Sequence, residues 1–281
     1  MNFIDFILNI VGLFLWLNWH SVYFNPSTHP AFSLVATLKG ASRHPRWLYF
    51  GVLIGLLVLR ALFYWQIGPA LPWTPRFSLG CTTLLFRSDL KVQMLSYSFA
   101  SFGATLGVFY LWLLLLSCIN ANVSEESPQQ RMIRLHLGFL KDWPVVLKLL
   151  VPFITTGFLW CALHPALVKM QIVPKCITSH LLEQGAIFGL LVYLQATYLL
   201  VGILVLYILN SYVFIGNFSF WKFIDASAAN LLRPLRCLPL VVKRIDLAPV
   251  IAIVLILETS ALLTWVSKTS WAVKQFLKLA S

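Results

Sequence analysis

Six apolar runs, each close to the length of a membrane-spanning helix, constrain this chain more than any other feature. A helix needs about 20 residues to cross the roughly 30 Å of hydrocarbon in a bilayer. Of the 281 residues, 59% are hydrophobic and only 11% are charged. Such a chain cannot cover itself with polar surface in water, so the sequence predicts an all-α, polytopic transmembrane bundle of about six spans. The runs are approximately Phe3–Trp19, Trp47–Ile67, Met94–Ile119, Val145–Val168, Leu182–Leu209 and Leu247–Val266.

The polar composition excludes several function classes. The net charge of +12 is scattered over the connections, which is typical of loops facing anionic headgroups rather than of a nucleic-acid surface. We therefore expect the lipid bilayer as a partner and no nucleic acid. The five cysteines form no CxxC pair and the six histidines are dispersed, so no metal and no cofactor is expected. No nucleophile-elbow, Walker A, dinucleotide or HExxH motif is present, and the chain is not expected to be an enzyme.

Pairs of glycines four residues apart recur within the runs. Spacing of this kind lets two helix backbones approach closely, and packing within one bundle is a stronger expectation than a dimer interface because six spans already offer partners. The pairs are Gly51 with Gly55, Gly103 with Gly107, and Gly185 with Gly189.

The later part of the chain has the pattern of an internal repeat. Each proposed unit is a long span, a connection with an amphipathic part, and a second span. Both connections end in an acid and a proline at the start of the next span, namely Asp142 with Pro144 and Asp246 with Pro249. The sequence thus predicts an N-terminal helix pair with a Pro/Gly-rich connection over 1–92, a diverged first repeat over 93–170 and a second repeat over 171–281.

The second connection carries a family resemblance. Residues 231–236 read Leu-Leu-Arg-Pro-Leu-Arg, and residues 245–250 read Ile-Asp-Leu-Ala-Pro-Val before an aliphatic span. This region, strongest over 223–257, resembles the YggT family of bacterial integral membrane proteins. The chain departs from the family between the two motifs, where residues 237–244 replace a bend rich in proline and glycine, and the earlier repeat lacks the Arg-Pro-x-Arg motif.

The resemblance implies a multi-pass protein of the bacterial inner (plasma) membrane without a defined enzymatic activity. The expected function is a non-catalytic scaffold, assembly factor or accessory subunit of a membrane complex, which contacts other membrane-protein subunits. The alternative is a small ion transporter or channel component in osmotic or potassium homeostasis, since bacterial members of the family have been linked to these tolerances.

Four basic residues in the second connection are candidates for binding lipid phosphate or an acidic patch on a partner. Arginine suits both because its planar fork matches phosphate and carboxylate oxygens. The simpler interpretation is that these residues anchor the connection at the headgroups. Asp246, which follows them, is predicted to cap the next helix. The four basic candidates are Arg233, Arg236, Lys243 and Arg244.

Three ionisable residues fall within or near spans: Arg60, Lys148 and Glu258. Charges inside a membrane are costly and therefore pair with one another or serve a function. Pairing of Arg60 with Glu258 is one hypothesis, and structural pairing is favoured over a transport pathway. Arg60 also lies within snorkelling reach of the interface marked by Trp65.

Overall fold

The protein is described from a computed structural model, which covers residues 2–24, 46–68, 73–79, 82–121, 128–175, 177–213, 218–237, 241–242 and 245–269. Helices dominate this part of the chain, and the predicted all-α class is confirmed. The helices are α1 (Asn2–Phe24), α2 (Arg46–Ile67), α3 (Lys91–Ile119), α4 (Pro128–Leu137), α5 (Val145–Lys169), α6 (Thr178–Leu191), α7 (Leu194–Val213), α8 (Ser219–Leu231) and α9 (Ala248–Thr269), with 3₁₀ turns at Gly138–Asp142 and Arg233–Cys237. The described residues also form two short two-stranded sheets: β1 (Arg76–Leu79) pairs with β2 (Thr82–Leu85), and β3 (Val241–Val242) pairs antiparallel with β4 (Ile245–Asp246).

Six helical segments are long and apolar enough to cross a membrane, which agrees with the predicted number of spans. The chain is therefore of the multi-pass membrane class. The fifth of these segments, His180–Val213, is made of two helices. A turn at Val192–Tyr193 separates α6 from α7, and there the Tyr193 amide donates to Leu190 O, three residues back, at 3.1 Å.

The chain forms two compact units, and the predicted division into three segments stays a prediction. One unit contains residues 1–77 with 84–109, and the other contains 78–83 with 110–281. One boundary between the units lies inside α3, because the first part of this 29-residue helix belongs to one unit and its last part belongs to the other. The second unit also joins the two predicted repeats, since α5 packs against α6.

The core of the first unit lies where α2 meets the first half of α3. Leu53 and Leu57 of α2 and Phe102 of α3 are buried together. Leu15 and Trp16 of α1 pack against this cluster. A Cβ atom at Gly12 would lie 2.8 Å from the Phe102 ring, so the small residue allows α1 to approach the core.

Glycines also set the contact between α5 and α6 in the second unit. A Cβ at Gly185 would lie 3.1 Å from Gly157 O, and one at Gly189 would lie 2.7 Å from Phe153 O. The glycine pair of α6 therefore packs within the bundle, as predicted. The other two pairs do not: a Cβ at any of their glycines would meet no atom within 4 Å. These open positions are Gly51, Gly55, Gly103 and Gly107.

Elements recur in the same order within the second unit. The end of α3 leads to α4, a 3₁₀ turn and α5, and α7 leads to α8, a 3₁₀ turn, the β3–β4 pair and α9. The helices α4 and α8 contact each other. This order matches the pattern on which the internal repeat was predicted, and the repeat itself stays a prediction.

Candidate functional site

The first unit contains a cluster of polar side chains contributed by all three of its long helices. Each helix supplies two residues four positions apart, a spacing that places both on one helical face. We call these six residues the Asp5–Arg60 cluster: Asp5 and Asn9 of α1, Arg60 and Tyr64 of α2, and Tyr97 and Ser101 of α3.

A buried ion pair lies at the centre of this cluster. Arg60 Nη2 lies 2.5 Å from Asp5 Oδ1, and the exposed fractions of the two side chains are 1% and 11%. The Tyr64 hydroxyl donates to the same carboxylate oxygen, and the Tyr97 hydroxyl donates to Asp5 Oδ2 at 2.6 Å. Both oxygens of the carboxylate thus accept hydrogen bonds, which is what makes a buried charge tolerable.

The guanidinium group is engaged on its other side as well. Arg60 Nη1 donates to Asn9 Oδ1 at 2.7 Å, and Nη2 donates to Ser101 Oγ at 3.0 Å. Asn9 Nδ2 donates to the same hydroxyl at 3.0 Å. The centre of the guanidinium also lies 5.5 Å from the Tyr64 ring centroid and 5.9 Å from the Tyr97 ring centroid, within the range of cation–π attraction.

Aromatic residues from the segment before α3 cover the tyrosine side of the cluster. The Trp73 ring lies 5.0 Å from Tyr64 and 6.2 Å from Tyr97, and Phe86 lies 5.4 Å from Tyr97, between ring centroids. Phe86 is fully buried, and its amide donates to Pro75 O at 3.1 Å. This cover keeps the local dielectric low and so strengthens the electrostatic contacts of the cluster.

The cluster corrects the hypothesis that Arg60 pairs with Glu258. The carboxylate partner of Arg60 is Asp5 of α1, while Glu258 lies exposed near the middle of α9. Asp5 and Asn9 interrupt the apolar pattern of the first run, and their pairing across the bundle is the reason that the run tolerates them. Three polar pairs at four-residue spacing, one in each of the first three runs, were the signal that could have found this site.

Lys148, the third predicted intramembrane charge, is buried near the start of α5. Its ammonium group donates to Lys141 O at 2.7 Å and to Ser117 Oγ at 3.0 Å. Lys141 lies in the last turn of a 3₁₀ helix, where backbone carbonyls carry partial negative charge and suit a cation. The lysine therefore joins the end of α3 to the connection before α5.

The candidates of the second connection are described only in part. Arg233 is exposed at the start of its 3₁₀ turn, and Arg236 lies in the same turn with only its backbone described. Lys243 and Arg244 lie outside the described residues. Asp246 Oδ1 accepts a hydrogen bond from the backbone amide of Ala248, the first residue of α9, at 2.9 Å, so its side chain satisfies one of the free amides at the start of that helix.

A second polar network, which the sequence patterns did not reveal, joins the two amphipathic helices of the second unit. Asn120, just beyond α3, donates from Nδ2 to Ser227 Oγ at 2.7 Å and accepts from Asn230 Nδ2 at 3.2 Å, both in α8. Its backbone carbonyl accepts from Gln130 Nε2 of α4 at 3.0 Å. Asn120 is fully buried, so these bonds satisfy a side chain that water cannot reach.

Comparisons with known proteins do not extend this picture. No protein-family model matches the chain, and no curated protein or solved structure matches it significantly.

Proposed function

We propose that this chain is a non-catalytic integral membrane protein that acts as a scaffold, assembly factor or accessory subunit of a membrane complex. The observation that carries the proposal is that the charged and polar side chains of the Asp5–Arg60 cluster bind one another. Its two charges neutralise each other, and the side chain of Arg60 is only 1% exposed. A group held in this way joins helices and has no free acid, base or nucleophile to offer a substrate.

The open glycine faces of the first unit support a role in assembly. Gly51 and Gly55 of α2 are exposed, as are Gly103 and Gly107 of α3, and added Cβ atoms there would meet nothing within 4 Å. Within membranes, small residues at this spacing are typical of faces on which another helix packs. The unit thus has surface suited to a further helix beyond its own.

Membership of the YggT family is part of the proposal. It rests on the resemblance of the two motifs at 231–236 and 245–250. A location in the bacterial inner membrane follows from the same resemblance.

The alternative proposal is a small ion transporter or channel component. It is favoured by the convergence of Arg60, Tyr64 and Tyr97 on the Asp5 carboxylate, an arrangement that membrane proteins also use along ion and proton paths. In that case the Asp5 carboxylate would release its ion pair with Arg60 during transport.

Purification from native membranes in a mild detergent tests both proposals. A scaffold is expected to co-elute with other membrane proteins at a constant ratio, as measured by quantitative mass spectrometry, and to give no potassium flux in liposomes. A protein that elutes alone and moves K⁺ in liposomes, with flux abolished by Asp5→Asn, would overturn the scaffold proposal and establish the alternative.

The glycine faces can be tested in the same experiment. The double variant Gly51→Leu and Gly55→Leu fills an open face and is expected to fold while losing co-eluting subunits. Gly103→Leu with Gly107→Leu fills the other open face, on α3, and is the second test. Retention of all subunits by both double variants would remove the glycine faces from the argument.

A further inference from the structure

The helix α9 is the most exposed of the six candidate spans. Only 11% of its span, Ala248–Ser267, is buried, against 17–28% for the others. It packs on α7 and α6, and Ala252 and Ser267 are buried there. On the opposite side of the helix, the described residues Val254, Leu262 and Trp265 are exposed.

Glu258 lies on this open side at the middle of the helix. It is the eleventh of 22 residues, so it lies about 15 Å from either end at 1.5 Å per residue. The residues one turn before and after it, Val254 and Leu262, are 52% and 60% exposed. Trp265, seven positions on, is 65% exposed and continues the same face.

The carboxylate of Glu258 has no ion pair and no hydrogen bond within the described part of the chain. The nearest hydroxyls along the helix are used elsewhere. Thr259 Oγ1 donates to Ile256 O and Ser260 Oγ donates to Leu257 O, both at 2.8 Å. A hydroxyl has a single proton to donate, so neither is left for the carboxylate.

A carboxylate at this depth requires a cation or a donor from outside α9, because hydrocarbon offers neither. The cations buried in the described spans are already engaged: Arg60 binds Asp5, and Lys148 donates to Lys141 O and Ser117. A second copy of this chain would bring another Glu258 to the same depth and no free cation from these spans. Charge complementarity therefore favours a different protein.

We propose that the Glu258 face of α9, formed by Val254, Glu258, Leu262 and Trp265, docks a transmembrane helix of another protein that carries a lysine or arginine near the middle of its span. The inference rests on the proposed scaffold function and names the chemistry of its partner. The ion pair would form away from water, where it is strong and selects against apolar helices. The exposed apolar residues around it would supply the packing.

The test is photo-crosslinking of the full chain in its native membrane, with a photoreactive residue in place of Leu262. The control places the same probe at Ile154 of α5, which is equally apolar and 58% exposed. We expect the Leu262 probe, but not the Ile154 probe, to capture a peptide from a membrane-spanning segment that contains a lysine or arginine. The yield should fall about tenfold in Glu258→Gln and persist in Glu258→Asp, since only the first loses the charge.

A charge exchange completes the test. Glu258→Lys is expected to abolish the crosslink, and replacement of the captured lysine or arginine by glutamate should restore it. Crosslinks to lipid only, to a second copy of this chain, or to a segment without a basic residue would each overturn the inference. An unchanged yield in Glu258→Gln would do the same.

These outcomes separate the inference from the function on which it rests. If Glu258→Gln still co-elutes with the same subunits at the same ratio, the scaffold function stands and the Glu258 docking surface is rejected. If the wild-type chain co-elutes with no membrane protein, the proposed scaffold function is rejected, and with it the docking surface that rests on that function.

Discussion

Removal of one partner of the Asp5–Arg60 pair provides the sharpest test of how the first unit is held together. Replacement of Arg60 by Met keeps an unbranched apolar stem but leaves Asp5 buried beside two tyrosine hydroxyls without a cation. Breaking a buried pair in this way costs about 3–5 kcal/mol, because the remaining charge has lost its counterion without regaining water. We expect a loss of this size in the free energy of unfolding.

The loss of stability should be smaller for variants that leave no unpaired charge buried. Tyr97→Phe removes one hydrogen bond at 2.6 Å and no charge, so about 1 kcal/mol is expected for it. The double variant Asp5→Leu with Arg60→Met removes both charges together. It should destabilise the protein less than either single change, because no uncompensated charge remains.

The assay is reversible unfolding in mixed micelles titrated with sodium dodecyl sulfate, followed by circular dichroism. Arg87→Met is the matched control, because Arg87 pairs with Asp89 at 2.8 Å while their side chains are 68% and 51% exposed. An exposed pair of this kind contributes at most about 1 kcal/mol. If Arg60→Met cost no more than Arg87→Met, the buried pair would not be what joins the three helices.

Three further outcomes are expected from the second unit. Gly189→Ala should lower the free energy of unfolding by about 1–3 kcal/mol, because its Cβ would lie 2.7 Å from Phe153 O. Gly103→Ala in the first unit is the control and should be near neutral, because its Cβ would meet no atom within 4 Å; chemical denaturation measures both changes. Asn120→Ala should cost about 1–3 kcal/mol by leaving buried partners unsatisfied, and hydrogen exchange of α8 would show the loosening. Burial lowers the pKa of His136 below its ordinary value of 6.5. The unfolded chain therefore takes up the proton first as pH falls, and the stability of the folded protein should decrease as pH drops through 6.5. His136→Gln should flatten this dependence between about pH 7.5 and 5.5. Equal pH dependence in the wild-type protein and the Gln variant would show that His136 is not its source.

The number of the spans and their positions in the chain could be predicted from run length and apolar composition, whereas the interruptions within them could not. The break at Val192–Tyr193 lies within an apolar run that contains no proline at that point, so hydropathy alone gives no reason to divide it. The division of the chain inside α3 was similarly hidden. An uninterrupted 29-residue helix has no boundary in its sequence, and only its contacts assign its two parts to different units.

The partner of Arg60 shows the limit of reasoning from single charges. A buried cation must find a carboxylate, and this much follows from the cost of an isolated charge in hydrocarbon. The choice between Asp5 and Glu258 depends on which helices are adjacent and how each is rotated. The four-residue spacing of Asp5 with Asn9 and of Tyr97 with Ser101 contained that information, but only in combination.

The sequence by itself determined that this is a membrane protein, because so apolar a chain cannot cover itself with polar surface in water. It also determined that Arg60, Lys148 and Glu258 need explanation, since each is costly where it stands. Only the tertiary structure decided that Arg60 is paired with Asp5 and that Lys148 donates to Lys141 O, while Glu258 is exposed without a partner among the described residues. The reason is physical: hydropathy depends on what each residue is, whereas neutralisation of a buried charge depends on which atoms lie within about 3 Å of it.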